Sequence, residues 1–194
     1  GDISLNSAAA INQNNTISTT TTNKTIDLLA ATDITMSQNT TTATTNGNIR
    51  LEAGNTITIA ELTAGTGTTA IIAGNNINDI TGDTAIDITT ANLILTAGNA
   101  IADKDNHLEI AATNLSSKST TSDTFITETG DITTTALNMT ANRIDNKGDA
   151  ALTTLYSQED LTSGANLILI SSGNITTTTN TGDVTATNNI IQHS

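Results

Sequence analysis

The chain contains no cysteine, no proline and no tryptophan, and it has one phenylalanine and one tyrosine, Phe125 and Tyr156. Without cysteine there are neither disulfides nor thiolate metal sites. Without proline nearly every residue offers a ladder N–H, which suits a chain made of strands. Aromatics at 1% leave a globular interior nothing bulky to fill it, so the core must be narrow and aliphatic. Lys and Arg total six against nineteen Asp and Glu, for a net charge of −13, and the cations do not cluster. That excludes nucleic acid and an anionic membrane face as partners. No apolar run approaches membrane-spanning length, so no membrane insertion is expected. No signal-peptide pattern opens the chain, and the start at Gly1 in mid-repeat reads as a piece of a longer protein.

What is present is a recurring phrase, approximately Leu-x-Ala-Gly-Asn-x-Ile. It reads LEAGNTI at Leu51–Ile57, IIAGNNI at Ile71–Ile77 and LTAGNAI at Leu95–Ile101. Degraded copies are LNSAAAI (Leu5–Ile11), LLAATDI (Leu28–Ile34) and LISSGNI (Leu169–Ile175). A fixed period of this size means that one small unit stacks on copies of itself. Two-residue alternation runs through the repeats, as in Ile26-Asp-Leu28, Ile49-Arg-Leu51, Ile86-Asp-Ile88 and Leu108-Glu-Ile110, which gives short strands with one buried face. Coil starts near Ile3, Ile26, Ile49, Ile71 and Leu93 are twenty-two or twenty-three residues apart. The expected fold is all-β, a right-handed parallel β-helix (solenoid) of about nine coils, occupying residues 1–194 as a single segment. In each Ala-Gly-Asn step, Gly54, Gly74, Gly98 and Gly173 are expected to take positive φ. Asn55, Asn75, Asn99 and Asn174 are expected to tolerate left-handed geometry and to stack as a ladder. The pattern loosens after Leu108, and excursions from the rod are expected near Ser116–Gly130 and Thr153–Ala165, where both aromatics lie. Phe125 and Tyr156 are expected to plug a corner or cover a seam. Ile94, Ile168 and Ile170 break the alternation and point outward, which requires a covering loop or leaves an adhesive patch.

The GDI, GNI and LxAGNxI phrases resemble the repeats of filamentous haemagglutinins, bacterial exoproteins exported by two-partner secretion. TANRIDNKGDAAL at Thr140–Leu152 is similar to a second repeat type of that family. The resemblance runs from Gly1 to about Val184. It implies export through an outer-membrane transporter, a place on the bacterial cell surface or in the medium, and a role in adhesion or as the stalk of a contact-dependent toxin. The family's secretion domain carries Asn-Pro-Asn-Leu, and this chain has no proline, so it reads as shaft.

The sequence offers little chemistry. A nucleophilic triad needs a His base, and the two histidines are His107, in a turn expected to be solvated, and His193 at the chain end. The carboxylate pairs Glu159-Asp160 and Asp103/Asp105 read as turns rather than a glycosidase pair. Asp103-Lys104-Asp105-Asn106 has part of the oxygen spacing of a calcium loop, without its Gly and distal Glu. The Thr runs Thr19–Thr22, Thr40–Thr42 and Thr176–Thr179 are contiguous, so their side chains alternate faces and form no ice-binding array. No catalytic, cofactor or metal residue is assigned and the binding residues are unknown, so no enzyme is expected. The expected function is a structural shaft of a secreted or surface-anchored bacterial adhesin carrying a binding or toxic tip. The parent protein would meet a host-cell or bacterial surface receptor or glycan. The alternatives are a module binding a glycan or receptor through its loops and, more distantly, a polysaccharide-active enzyme.

Overall fold

Ile and Leu at alternate positions turn one side of each short strand inward, and the next winding of the chain covers that side. The computed structural model describes residues 1–80, 85–145, 147–148, 152–179 and 181–193. These residues are all-β, without helix, and wind as a parallel β-helix of about eight turns rather than nine. At about 4.8 Å per turn the rod is about 38 Å long. On the first face the strands Ile3–Ser7, Ile26–Ala30 and Ile49–Ala53 stack in parallel and continue through 68–73, 92–97 and 114–119. The second face stacks Ile11, Ile34, Ile57, Ile77 and Ile101, and the third stacks Ile17, Thr42, Leu62, Ile88 and Ile110.

The interior is a set of one-residue columns. Leu28, Leu51, Ile71 and Leu95 form one, and Ala30, Ala53, Ala73 and Ala97 another, all buried. The repeated phrase therefore aligns as read, Leu51 on Ile71 on Leu95. The coil starts do not: Thr69, not Ile71, stands in the column of Ile49 and Leu93. The turn before Thr69 is shorter, closing through Gly65 at φ 58°. The copy LISSGNI leaves the column, since Leu169 pairs with Ile126 and Ile175 with Ile132, at a different corner.

The glycines of the repeated step do not take positive φ; among described glycines only Gly65 and Gly148 do. The left-handed positions fall instead on Asn23, Asn39, Asn46, Ala102 and Asp160, not on the repeated asparagines. Glycine is needed for stacking. A Cβ on Gly74 would stand 2.1 Å from the carbonyl oxygen of Gly54, and one on Gly98 2.0 Å from that of Gly74. The asparagine ladder is a backbone ladder: Asn75 N–H donates to Asn55 O and Asn99 N–H to Asn75 O, each at 2.8 Å.

The excursions also differ from expectation. Ser116–Gly130 stays in the rod, supplying the end of strand Leu108–Ser119 and all of Thr124–Glu128, which pairs with Leu167–Ser171. The excursion is an antiparallel hairpin of Leu137–Arg143 against Leu152–Gln158. It is inserted within one strand position: Thr134 pairs with Leu115 below it and Leu161 with Ser117. Thr153–Ala165 thus divides between the hairpin's second strand and the rod strand Leu161–Ser163.

Candidate functional site

Two places bring polar chemistry together out of the repeat, and both depend on outward-facing columns. The middle outward column of the first face runs Ser4, Asp27, Arg50, Ala70, Ile94, Ser116. The hairpin lies along it as a strap, lengthwise to the rod. Ile94 and Ala70 are fully buried beneath Met139 and Ala141, flanked by Leu137 and Tyr156. The outward Ile94 is therefore covered, and Tyr156 closes a seam. Burial raises the Tyr156 phenol, which hydrogen-bonds Thr96. Gln158 also meets Thr96 and donates to the Leu95 carbonyl. Farther down the rod, Asn48 Nδ2 donates to Thr140 O at 2.8 Å and Asn142 N–H to Thr25 Oγ1 at 3.1 Å. At its far end Arg143 Nε reaches Asp27 Oδ2 at 2.8 Å, while Arg50 Nε holds Asp27 Oδ1 at 2.8 Å. Asp27 is fully buried between these two guanidiniums, and Arg50 also meets Glu52 at 3.0 Å.

The second place is on the third face. Its outward column carries Thr41, Glu61, Asp87 and Glu109 in successive coils, with Thr127 above them. Strand alternation makes these residues solvent-facing, as Ile86-Asp-Ile88 and Leu108-Glu-Ile110 suggest. Yet Asp87 is 1% exposed and Glu109 is half-buried. Asp79, at the end of strand Ile77–Asp79, joins them at the corner, 5% exposed. Carboxylate oxygens of Asp79, Asp87 and Glu109 lie within 4.8 Å of one another. Asp87 Oδ2 accepts the Glu109 N–H at 2.9 Å. Burial, with the charge of Asp79 next, pushes the Asp87 carboxyl up to about 9. A cleft of about 320 Å³, lined by Thr58, Asn78, Asp79, Ile80, Ala102, Asp103 and Asn106, opens beside Asp79.

That shift has a measurable consequence. Between pH 3.8 and about 9 the folded chain holds a proton on Asp87 that the unfolded chain gives up. The stability contributed by this group is thus fully present below about pH 4 and is lost progressively as pH rises toward 9. The decline from this group is at most about 1.4 kcal/mol per pH unit. Melting curves from pH 5 to 8 should show a downward trend in the parent that is flatter in Asp87→Asn; parallel profiles would refute it.

The residues singled out from sequence are elsewhere. Asp103 Oδ1 accepts the N–H groups of Asp105 (2.8 Å) and Asn106 (3.1 Å), and Lys104 pairs with Asp105, so this is a self-satisfied turn. Asp160 accepts the Asp183 N–H at 3.2 Å at a left-handed corner. His107 is half-buried rather than solvated: its Nδ1 meets Thr127 Oγ1 at 2.9 Å and its ring lies 5.4 Å from that of Phe125. Burial lowers its pKa. Phe125 packs half-buried on the core, in an outward row with Ile168 and Ile191. The acidic column was missed because each Asp or Glu reads locally as a wet strand position. The available signal was their shared place in successive coils. No protein-family model, curated protein or solved structure matches the chain.

Proposed function

We propose that this chain is a structural shaft segment of a secreted or surface-anchored bacterial adhesin, and that it projects a binding or toxic tip. The observation that carries this reading is the strapped rod: parallel coils bonded along one axis, with a hairpin fastened lengthwise across them from Thr96 to Asp27. Such a brace resists bending between coils, which a spacer needs and a compact binding domain does not. In this reading the segment is not catalytic. Export proceeds through an outer-membrane transporter, and a host-cell or bacterial surface receptor or glycan is met by the parent protein's tip. The repeats' resemblance to filamentous haemagglutinins supports the same assignment.

A lateral binding module is the second reading, favoured by the outward row of Phe125, Ile168 and the 53% exposed Ile191. Exchange of this segment, in its parent protein on cells, for an unrelated β-helix with the same number of turns separates the two. A shaft leaves adhesion or toxicity intact after the exchange. Loss of adhesion with normal surface display assigns binding to this segment instead.

A further inference from the structure

The outward side of the second face changes character along the rod, its column reading Thr58, Asn78, Ala102, Phe125, Ile168 and Ile191 in successive coils. Where polar gives way to apolar, a cleft of about 200 Å³ opens, walled by Ala100, Ala102 and Phe125 and rimmed by Asp103, Ser122 and Asp123. Three observations say what it fits. First, the half-buried Phe125 ring is braced by the ring of His107, 5.4 Å away, which fixes a flat apolar surface in the wall. Second, the rim keeps acceptors in reserve. Asp103 Oδ1 is occupied by the amides of Asp105 and Asn106, and Asp123 Oδ1 by the backbone and side-chain N–H of Asn166. Oδ2 of both aspartates and the Ser122 hydroxyl take no hydrogen bond within the chain among the described residues. Third, Ala102 stands at φ 56°, the one described left-handed residue that is neither Gly, Asn nor Asp. That conformation is unfavourable for alanine, and such strain collects where a backbone is held for a ligand.

We propose that this cleft binds one ring of a neutral saccharide, stacked on Phe125 with its hydroxyls on Asp103, Asp123 and Ser122. A pyranose has a face of weakly positive C–H hydrogens, which suits the negative face of an aromatic ring, and an edge of hydroxyls, which donate well to carboxylate oxygens. A wholly apolar ligand would leave the rim acceptors desolvated and unpaired. An anionic one would meet Asp103 and Asp123 within a chain of charge −13, and Lys104, the one cation lining the cleft, is already paired with Asp105. The cleft of about 320 Å³ lined by Thr58 and Asn78 shares Ala102 and Asp103 with this one, so a second sugar unit continues along the same face. The proposal names a ligand for the lateral-binding reading and rests on that reading for its part in adhesion.

Amide NMR of the full chain, titrated with lactose, maltotriose, cellotriose and triacetylchitotriose, tests the proposal. At least one should give saturable shifts centred on Ala102, Asp103 and Ser122–Phe125, with an apparent Kd on the order of 1–10 mM for so small a contact. Phe125→Ala should weaken binding at least tenfold, and Phe125→Trp, which restores a ring, should retain it. Asp123→Asn keeps the oxygen that holds Asn166 and should weaken binding severalfold. Ile191→Ser, two coils above on the same row, should leave binding unchanged. If Phe125→Ala does not fold, Asp123→Asn and the shift map of the unaltered chain decide. The proposal is overturned by absence of saturable shifts with all four sugars at about 50 mM, by shifts centred elsewhere, by equal binding in folded Phe125→Ala, or by tighter binding of sialyllactose than of lactose. Direct titration reads the ligand, whereas exchange of the segment on cells reads its part in adhesion. Failed titration with adhesion lost on exchange removes the saccharide alone, and saturable binding with adhesion intact on exchange removes the lateral-adhesion reading alone.

Discussion

Alanine in place of Asp27 is expected to cost about 3–5 kcal/mol, the loss that follows when one partner of a buried ion cluster is removed. Asp27 is fully buried and is the shared anion of two guanidiniums, Arg50 Nε and Arg143 Nε, each at 2.8 Å. Its removal strands Arg50, which is 2% exposed, without its main counter-charge. It also releases the end of the hairpin strap, which reaches the rod there through Arg143. At about 2–4 °C per kcal/mol for a chain of this size, Tm should drop by about 6–20 °C. Limited proteolysis should then cut first within the hairpin, near the 66% exposed Leu155. A triple replacement of Asp27, Arg50 and Arg143 by Leu, Met and Met should recover most of the loss, because a buried ion cluster is replaceable by apolar groups of similar volume. If Asp27→Ala melts within about 2 °C of the parent, this cluster does not fasten the strap.

Gly74→Ala is expected to cost about 3 kcal/mol, an unusually large penalty for adding one methyl group. The added Cβ would stand 2.1 Å from the Gly54 carbonyl oxygen and 2.8 Å from its carbon. Both are backbone atoms of the coil below, and they are fixed by the ladder bond from the Gly74 N–H to Ala53 O at 3.0 Å. Neither coil is able to give way without breaking bonds at the same corner. Gly130→Ala is the control: its Cβ would meet nothing nearer than Glu128 Oε1 at 3.7 Å, so its effect should stay within about 0.5 kcal/mol. Denaturant midpoints of the two variants check the contrast. Equal values would mean that corner stacking does not set the glycine requirement.

The glycine result shows where reading along the chain is incomplete. Leu-x-Ala-Gly-Asn-x-Ile identified the right residue for a different reason: turn chemistry suggested positive φ, whereas close approach of neighbouring coils supplies the demand. The coil starts went astray for a similar reason. Apolar periodicity placed Ile71 on Ile49, but a tightened corner at Gly65 shifts the register so that a threonine enters that column. Ile94 breaks the alternation and so points outward, yet its cover, the strand Leu137–Arg143, lies more than forty residues away in sequence.

The sequence by itself determined the all-β class, the parallel winding and the thin aliphatic interior. Those properties follow from local alternation and from a period that every coil repeats, so each short stretch carries the information. The strap, the Arg50–Asp27–Arg143 cluster and the carboxylate corner were decided only by the tertiary structure. Each joins residues from different turns, and which turns meet depends on coil lengths that vary by a few residues. A stack converts such small differences into which side chains share a column, and that is settled only when all the coils are in place.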